Sequence, residues 1–165
     1  MFWAVYTALL LYLVGLPAKK QPEVGIKSST LELIHRFEGA VATPYLDSAG
    51  RWTIGVGHQI KESEPHLLFA NLRPKEMQKL LERDLKPCET FLKHRLGYPL
   101  TQAQFDALMS LCHNIGVDNL ASSKVIADLK KDKIHSAANS ILNWNKPQEL
   151  TKRRQEERKL FLSDI

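Results

Sequence analysis

The sequence predicts an α+β domain that is mostly helical, with one small antiparallel β-hairpin in its first half. Apolar residues recur at helical spacing through most of the chain after residue 28. Residues 43–60 (TPYLDSAGRWTIGVGHQI) differ, because Thr, Tyr, Trp, Ile and Val flank an Asp-Ser-Ala-Gly turn, which is typical of a hairpin. The 165 residues suffice for one ordinary domain, and one hairpin in a helical chain indicates the α+β class.

A first helix is predicted over roughly residues 30–38. The run Ser29-Thr30-Leu31-Glu32 matches a capping box, in which the hydroxyl and the Glu carboxylate accept hydrogen bonds from free amides at the helix start. Apolar residues follow at helical spacing, and Gly39 is of the type that often ends a helix. This prediction places Glu38 in the last turn.

Further helices are predicted over 74–96, 101–116, 122–131, 134–144 and 148–162. Pro74 stands in a first turn, where its missing N–H is tolerated, whereas Pro87 inside the same run predicts a kink or a break. Thr101 opens a capped run that ends at Gly116.

The composition excludes several protein classes. With 44% hydrophobic and 25% charged residues, the chain is neither disordered nor of low complexity. The formal charge of +5 suits an anionic polymer, which could be nucleic acid, a membrane surface or a cell-wall glycan. Two cysteines exclude a disulfide-dense mini-protein and a four-cysteine zinc site. Because Cys88 and Cys112 both lie on helical patterns, we expect buried free thiols, with a disulfide as the alternative that export to the envelope would favour.

Residues 1–20 are predicted to be an export signal or a signal-anchor. Phe2–Leu16 is a run of fifteen residues without a charge, and Lys19 and Lys20 follow it. As a helix the run would span about 22 Å, less than the ~30 Å hydrocarbon core of a bilayer. It therefore fits the apolar region of a signal peptide and is marginal as an anchor. A buried core helix is the alternative, and residues 21–29 are interpreted as a polar linker.

Two carboxylates, Glu38 and Asp47, flank the passage from the first helix into the hairpin. Cleavage of a glycosidic bond needs such a pair, one as a protonated acid and one as a carboxylate that acts on water or on the sugar. The negative end of the helix dipole disfavours the charged form of Glu38, and Asp47 in a polar turn is expected to stay ionised. A returning strand would bring the Thr53 hydroxyl near Asp47. Taken singly, each carboxylate is as easily an ordinary helix-end or turn residue.

The combination FEG, YLDSAGRWTIGVGH and QFDALMSLCHNIG resembles the phage-type lysozymes, a glycoside hydrolase family of endolysins. The resemblance extends to Trp144-Asn145 and to the basic run 152–154. It implies that Glu38, Asp47 and Thr53 form the catalytic trio of an N-acetylmuramidase. Such an enzyme hydrolyses the β-1,4 bond between N-acetylmuramic acid and N-acetylglucosamine with inversion. The implied fold has a small β lobe, a long linking helix and a helical C-terminal lobe, so that residues 30–165 would be the catalytic domain.

The resemblance implies further roles. Asn114 and Gly116 of the Asn-x-Gly motif are expected to bind substrate, and His58 is expected to pair with Asp84 on the long helix, Glu82 being the alternative partner. No cofactor, metal or nucleic acid is implied. The expected partner is peptidoglycan, with the inner membrane as a second partner of the N-terminal segment. The protein is expected to be a monomer that is made in the bacterial host cytoplasm, exported to the periplasm or envelope, and used in host lysis.

His113 stands where many members of that family have an aromatic residue, at a position that is expected to form part of the wall of the cleft. The cluster Lys152-Arg153-Arg154 alternates with acidic residues and is interpreted as a salt-bridged helix face rather than a nucleic-acid patch. A non-catalytic domain that binds peptidoglycan or nucleic acid is the alternative function. The intact trio argues against it, because two carboxylates in a basic cleft would repel phosphate.

Overall fold

The computed structural model describes residues 23–165, so the apolar run Phe2–Leu16 lies outside the described residues. In chain order the elements are α1 (Ser28–Glu38), β1 (Val41–Leu46), β2 (Trp52–Gly55), β3 (His58–Gln59), a 3-10 turn (Pro65–Phe69), α2 (Pro74–Thr90), a π-helical turn (Phe91–Arg95), α3 (Gln102–Ile115), α4 (Val117–Ala121), α5 (Lys124–Leu129), α6 (Ile134–Ile141), a second 3-10 turn (Gln148–Leu150) and α7 (Thr151–Phe161). The predicted α+β class is confirmed. Between residues 23 and 165 no helix is both long and apolar enough to cross a membrane.

The start of α1 differs from the prediction. Thr30 accepts a hydrogen bond from the Lys27 amide at 3.1 Å, so the cap begins earlier than the predicted capping box at Ser29–Glu32. Both hydroxyls are also engaged by a buried carboxylate on α3, because Ser29 Oγ and Thr30 Oγ1 each donate to Asp106 at 2.6 Å. A long-range contact has therefore replaced the local cap that the sequence suggested.

The residues before α1 are attached to the domain. The Gly25 carbonyl accepts a hydrogen bond from Gln102 Nε2 at 2.9 Å, and Val24 and Ile26 pack against the hydrophobic core. Helix α1 itself begins at Ser28, inside the stretch interpreted as a linker.

The predicted hairpin is present and gains a third strand. The sheet order is β1-β2-β3, antiparallel throughout. Tyr45 lies opposite Thr53 in β1 and β2, and Ile54 lies opposite His58 in β2 and β3. The tight turn between β2 and β3 contains Gly57 at a φ of +76°, in the left-handed region that favours glycine.

Helix α2 runs without a break through Pro87 and ends at Thr90, so of the predicted kink or break at that residue the break is wrong. The flanking residues Leu85 and Cys88 are buried in the core. Tertiary packing of this face holds the helix together, although proline removes one backbone hydrogen bond. The chain widens into the π-helical turn only after this point.

Helix α3 is the centre of the core, since every residue from Ala103 to Cys112 is buried. Thr101 caps it as predicted, accepting a hydrogen bond from the Gln104 amide at 3.2 Å. The expectation of free thiols is wrong, because Cys88 of α2 and Cys112 of α3 form a disulfide. Each helical pattern indicated burial correctly, but neither pattern could show that the two helices place these Cα atoms 6.0 Å apart, within disulfide range.

His58 fastens the sheet to α2. Its Nδ1 lies 2.7 Å from Asp84 Oδ2, which is the expected pair. Its Nε2 lies 2.9 Å from Glu64 Oε2, a partner that the sequence did not indicate, and Arg83 donates to Glu64 at 2.6 Å. The alternative partner, Glu82, instead accepts a hydrogen bond from a glutamine on its own helix.

The contacts around His58 change the pKa values of His58 and Glu64. Burial lowers the pKa of His58, but hydrogen bonds and charge from Asp84 and Glu64 outweigh burial, so that the pKa is raised above its ordinary value. Burial raises the pKa of Glu64, but hydrogen bonds from His58, Lys61 and Arg83 lower it to about 2. The His58 contribution to stability is full below about pH 6.5 and is lost as pH rises through its raised pKa. The Glu64 contribution is full above about pH 4.5 and is lost as pH falls toward 2.

We expect Glu64→Gln to lower the free energy of unfolding by about 1–3 kcal/mol at pH 5.5, because it leaves a buried imidazolium short of one charged partner. At pH 9 the loss should be smaller, because His58 is then neutral and only the contacts of Glu64 with Arg83 and Lys61 remain to be lost. Denaturant unfolding at the two pH values measures the difference, with Glu62→Gln at an exposed neighbouring position as the control. Equal losses at both pH values would contradict this account.

Candidate active site

Glu38 ends α1 with its carboxyl group held from two sides. Its Oε1 accepts a hydrogen bond from Arg153 Nη1 of α7 at 2.6 Å. Its Oε2 lies 3.3 Å from the position that a Cβ atom would occupy if residue 57 were not glycine. The carboxyl is thus wedged between the last helix and the β2–β3 turn, where a side chain at residue 57 would crowd it. The side chain keeps 21% of its exposure, enough for contact with a substrate.

Asp47 is oriented by its own turn. Oδ1 accepts hydrogen bonds from the amides of Ala49 and Arg51, both at 2.9 Å, and Oδ2 accepts from Arg51 Nε at 2.9 Å. The hydrogen bond from the Arg51 amide has the largest effect on the pKa of Asp47 and lowers it. Burial opposes it, but the Arg51 side chain and the Ala49 amide also lower the pKa, so that the net shift is downward. Asp47 is therefore a fixed, ionised carboxylate at the rim of the sheet.

Tyr45 lies near both carboxylates, and Thr53 lies opposite it in the sheet. Thr53 is buried and donates its hydroxyl proton to the Arg51 carbonyl at 3.0 Å, so its oxygen remains an acceptor. Partial burial raises the pKa of Tyr45, and the negative charges of Glu38 and Asp47 raise it further. The Tyr45 phenol is therefore close enough to both carboxylates for their charges to raise its pKa. Tyr45 was missed by sequence reasoning, and its place opposite Thr53 in the register is what would have indicated it.

A buried charge network supports Glu38 from behind. Arg153 donates to Glu38, to Glu157 Oε1 at 3.0 Å and to the Ser110 carbonyl at 3.0 Å. Arg154 also donates to Glu157, and Arg154 and Glu157 are completely buried. The salt bridges predicted for the cluster Lys152-Arg153-Arg154 exist. The interpretation of the cluster as an ordinary helix face is wrong in one respect, because both of its arginines point inward.

The end of α3 places the Asn-x-Gly motif beside this network. Asn114 is exposed, and its Oδ1 accepts a hydrogen bond from the buried Arg154. Gly116 ends the helix at a φ of +86°, and a side chain there would meet no atom within 4 Å. His113, also at this end, approaches Gly57 with its Nε2. The sequence had linked Asn114 and Gly116 by motif alone, and the arginine beneath Asn114 was not foreseen.

The arrangement suits acid–base chemistry on a polar polymer. It combines a half-buried carboxyl at a helix end, an ionised carboxylate with a hydroxyl on the hairpin, and an anchored amide on a third element. Within the described residues 23–165, no group of three or more His, Cys, Asp or Glu could hold a metal ion.

Comparison with known proteins agrees with the sequence and the fold. Residues 35–157 match the family model described as Phage lysozyme. The endolysin of Salmonella phage P22 is 36% identical over 143 residues, covering 84% of this chain and 98% of that protein. The SAR-endolysin of Haemophilus phage HP1 is 31% identical over 144 residues, covering 86% of this chain and 74% of that protein. A crystal structure of P22 lysozyme superposes with a TM-score of 0.75 at 35% identity, covering 86% of this chain and 100% of that one. The chain therefore belongs to the phage lysozyme family and is a glycoside hydrolase of the muramidase type.

Proposed function

We propose that this muramidase hydrolyses the β-1,4 bond between N-acetylmuramic acid and N-acetylglucosamine in peptidoglycan, with inversion at the anomeric carbon. Glu38 is the general acid, and Asp47 and Thr53 position the attacking water. The observation that carries this proposal is the placement of two carboxyl groups in different settings around Tyr45, one wedged and half-buried and the other ionised in a turn.

Glu38 donates a proton to the leaving glycosidic oxygen. Oε1 is occupied by Arg153, which leaves Oε2 as the oxygen that carries the transferred proton. Because the carboxyl is held by both the last helix and the sheet turn, its approach to the substrate is fixed before binding, which is what makes a general acid effective.

Asp47 and Thr53 act on the water. Asp47 Oδ2 is a carboxylate oxygen at the surface of the turn, and its paired Arg51 fixes its direction. The Thr53 oxygen can accept a hydrogen bond from the same water. A water that donates one proton to Asp47 and the other to Thr53 would have a lone pair directed to the sugar. In an inverting glycosidase, water attacks from the face opposite the leaving group, and the second carboxylate accepts its proton.

Asn114 and Gly116 hold the glycan in this proposal. With Asn114 Oδ1 occupied by Arg154, the amide N–H₂ is the group left for an acetamido or hydroxyl oxygen of the sugar. The absence of a side chain at Gly116 lets the chain of the substrate pass close to the backbone.

We expect Glu38→Gln to keep the fold and glycan binding while lowering hydrolysis at least ~10²-fold, because it removes a positioned proton donor without changing its shape. Loss of turbidity of chloroform-permeabilised Gram-negative cells measures the rate. Glu32→Gln, at an exposed site on the same helix, is the matched control and should retain activity. Turnover by Glu38→Gln at the wild-type rate would remove Glu38 from the acid role.

The stereochemical prediction is that the first product carries the inverted anomer. Direct attack by water leaves no covalent intermediate on the enzyme, in contrast to the double displacement of retaining enzymes. Proton NMR of a chitooligosaccharide or muropeptide digest, recorded before mutarotation, identifies the anomer. A retained anomer, or a glycosyl adduct on Asp47, would contradict inversion.

We further propose that residues 1–20 direct the catalytic domain of residues 30–165 to the periplasm or envelope. The apolar run Phe2–Leu16 supports this, as does similarity to the SAR-endolysin of Haemophilus phage HP1. A disulfide in the domain also suits an oxidising compartment.

Expression of the full chain and of a variant lacking residues 2–20, followed by cell fractionation, tests the export proposal. We expect the full chain in the membrane and periplasmic fractions and the shortened chain in the cytosol. Both forms should be assayed for lytic activity after permeabilisation, which separates failure of export from failure of the domain. Cytosolic recovery of both forms would contradict export.

A further inference from the structure

Glu157 of α7 is a buried carboxylate with no role yet in the proposed reaction. Its side chain is completely buried, and three side chains donate hydrogen bonds to it. Oε1 accepts from Arg153 Nε at 3.0 Å and from Ser110 Oγ at 2.7 Å, and Oε2 accepts from Arg154. A buried charge is costly unless its partners compensate it, so Glu157 and the two arginines form one unit.

Each of the two arginines also reaches a residue of the proposed site. Arg153 Nη1 donates to Glu38 Oε1 at 2.6 Å, and Arg154 Nη2 donates to Oδ1 of Asn114. Among residues 23–165, no carboxylate besides Glu38 and Glu157 forms an ion pair with either arginine. A single carboxylate on α7 therefore joins the proposed acid on α1 to the amide on α3 that is proposed to hold the glycan.

We propose that Glu157 is a positioning residue for this reaction, which acts on the proposed acid through Arg153 and on the substrate amide through Arg154. The inference rests on the proposed roles of Glu38 and Asn114. Glu157 touches no substrate in this account, so its effect on the reaction depends on the two arginines. Because its two oxygens serve different arginines, both contacts depend on the same charged group.

The effect on Glu38 is electrostatic. A general acid has to hold a proton before it can transfer it, and a guanidinium 2.6 Å from Oε1 favours the ionised carboxylate instead. Glu157 is bound to the same guanidinium, and its negative charge offsets part of this effect. It also remains the charged partner of Arg153 while Glu38 is protonated. Removal of the Glu157 charge therefore causes the acid to lose its proton at a lower pH.

Other groups face Glu38 from the elements around it. Their charges interact with it from His113 on α3, Tyr45 on β1 and Arg154 on α7. Burial lowers the pKa of His113, whereas burial and the nearby carboxylates raise the pKa of Tyr45, so both rings are uncharged near neutral pH. A substitution at residue 157 leaves all three side chains in the chain. The charge that changes near the acid is then that of residue 157 itself.

The effect on Asn114 is geometric. Asn114 is exposed, and the hydrogen bond that its Oδ1 accepts from Arg154 fixes which way the amide points. Arg154 is in turn held by Glu157 and by the Trp144 carbonyl, to which its Nε donates at 2.8 Å. Without Glu157 the guanidinium loses its charged partner. The N–H₂ group of Asn114 then loses its fixed direction toward the glycan.

The pH profile of kcat/KM tests the electrostatic effect. In Glu157→Gln, the pH at which kcat/KM falls on the alkaline side should move down by at least ~0.5. The matched control is Glu156→Gln, which removes the same charge from the next residue, a half-exposed carboxylate that pairs with Arg36. A variant that merely disturbed the fold would lower kcat/KM without moving this limit. If the alkaline limit of folded Glu157→Gln equals that of Glu156→Gln, the proposal is overturned.

Binding of a chitooligosaccharide tests the effect on Asn114 without turnover. Calorimetry is done in an Asp47→Asn background, since Asp47 is supported within its own turn. Glu157→Gln should raise Kd at least ~5-fold, but less than ~2-fold once Asn114 is replaced by Ala, because the two residues act through one contact. Equal increases with and without Asn114 would overturn the proposal whether or not Glu38 is the acid. Failure of the proposed function appears separately, as wild-type turnover by Glu38→Gln.

Glu157→Asp keeps the proposal testable if Glu157→Gln does not fold. It retains a negative charge for both arginines, but the side chain is one methylene shorter and cannot serve both with the same geometry. Its alkaline limit should stay within ~0.2 of the wild type, because the charge is kept, while Kd for the chitooligosaccharide rises at least ~2-fold. Thermal unfolding establishes that the variant is folded. A wild-type Kd in folded Glu157→Asp would contradict the positioning role.

Discussion

The site depends on one ion pair between a buried arginine and a half-buried carboxylate, Arg153 with Glu38. It joins the first helix of the described domain to the last, 115 residues apart in sequence. An arginine that is 5% exposed is costly unless its hydrogen bonds are satisfied, and Arg153 donates to Glu38, Glu157 and Ser110. Without Glu38, Arg153 would keep Glu157 as its charged partner, so the cost would stay below the about 3–5 kcal/mol of an uncompensated buried charge. The helical lobe therefore has to be packed before the acid is oriented.

The two carboxylates of the site are positioned by different means. Asp47 is fixed within five residues of its own turn, by Ala49 and Arg51, so its geometry is local and belongs to the hairpin. Glu38 has no such local support and takes its orientation from α7 and from the turn at Gly57. A mutation in the C-terminal helix can consequently disturb the acid while leaving the carboxylate on the hairpin in place.

The contrast between the local support of Asp47 and the long-range support of Glu38 explains which features the sequence could predict. The hairpin, the helix before it and the Glu38, Asp47 and Thr53 spacing are local patterns, and the fold class inferred from them is confirmed. Apart from the His58–Asp84 pair, which the resemblance implied, the long-range contacts could not be predicted from the sequence. The disulfide partner of Cys112 and the continuity of α2 through Pro87 are decided by packing between helices.

Charge patterns were the least reliable part of the sequence interpretation. Arg153 and Glu157 stand four residues apart, a spacing that is equally typical of a solvated salt bridge and of a buried one. The mean hydropathy of α7 is low, so its sequence gave no indication that Arg154 and Glu157 would be completely buried. The difference arises because Ser110 on α3 and the Trp144 carbonyl offer partners from outside the helix. Such partners become apparent only when the helices are packed.

Two histidines on either side of one turn show how the environment divides a single residue type into two roles. His58 follows Gly57 in sequence, faces two carboxylates and has a raised pKa, so below neutral pH it is a cation that anchors the turn to α2. His113 reaches the turn from α3 and lies near Arg153, and burial together with that positive charge lowers its pKa. Because His58 follows Gly57 directly, its contact with Asp84 of α2 also holds the turn beside which the Glu38 carboxyl lies. The structural histidine thus determines the surroundings of the proposed acid without touching it.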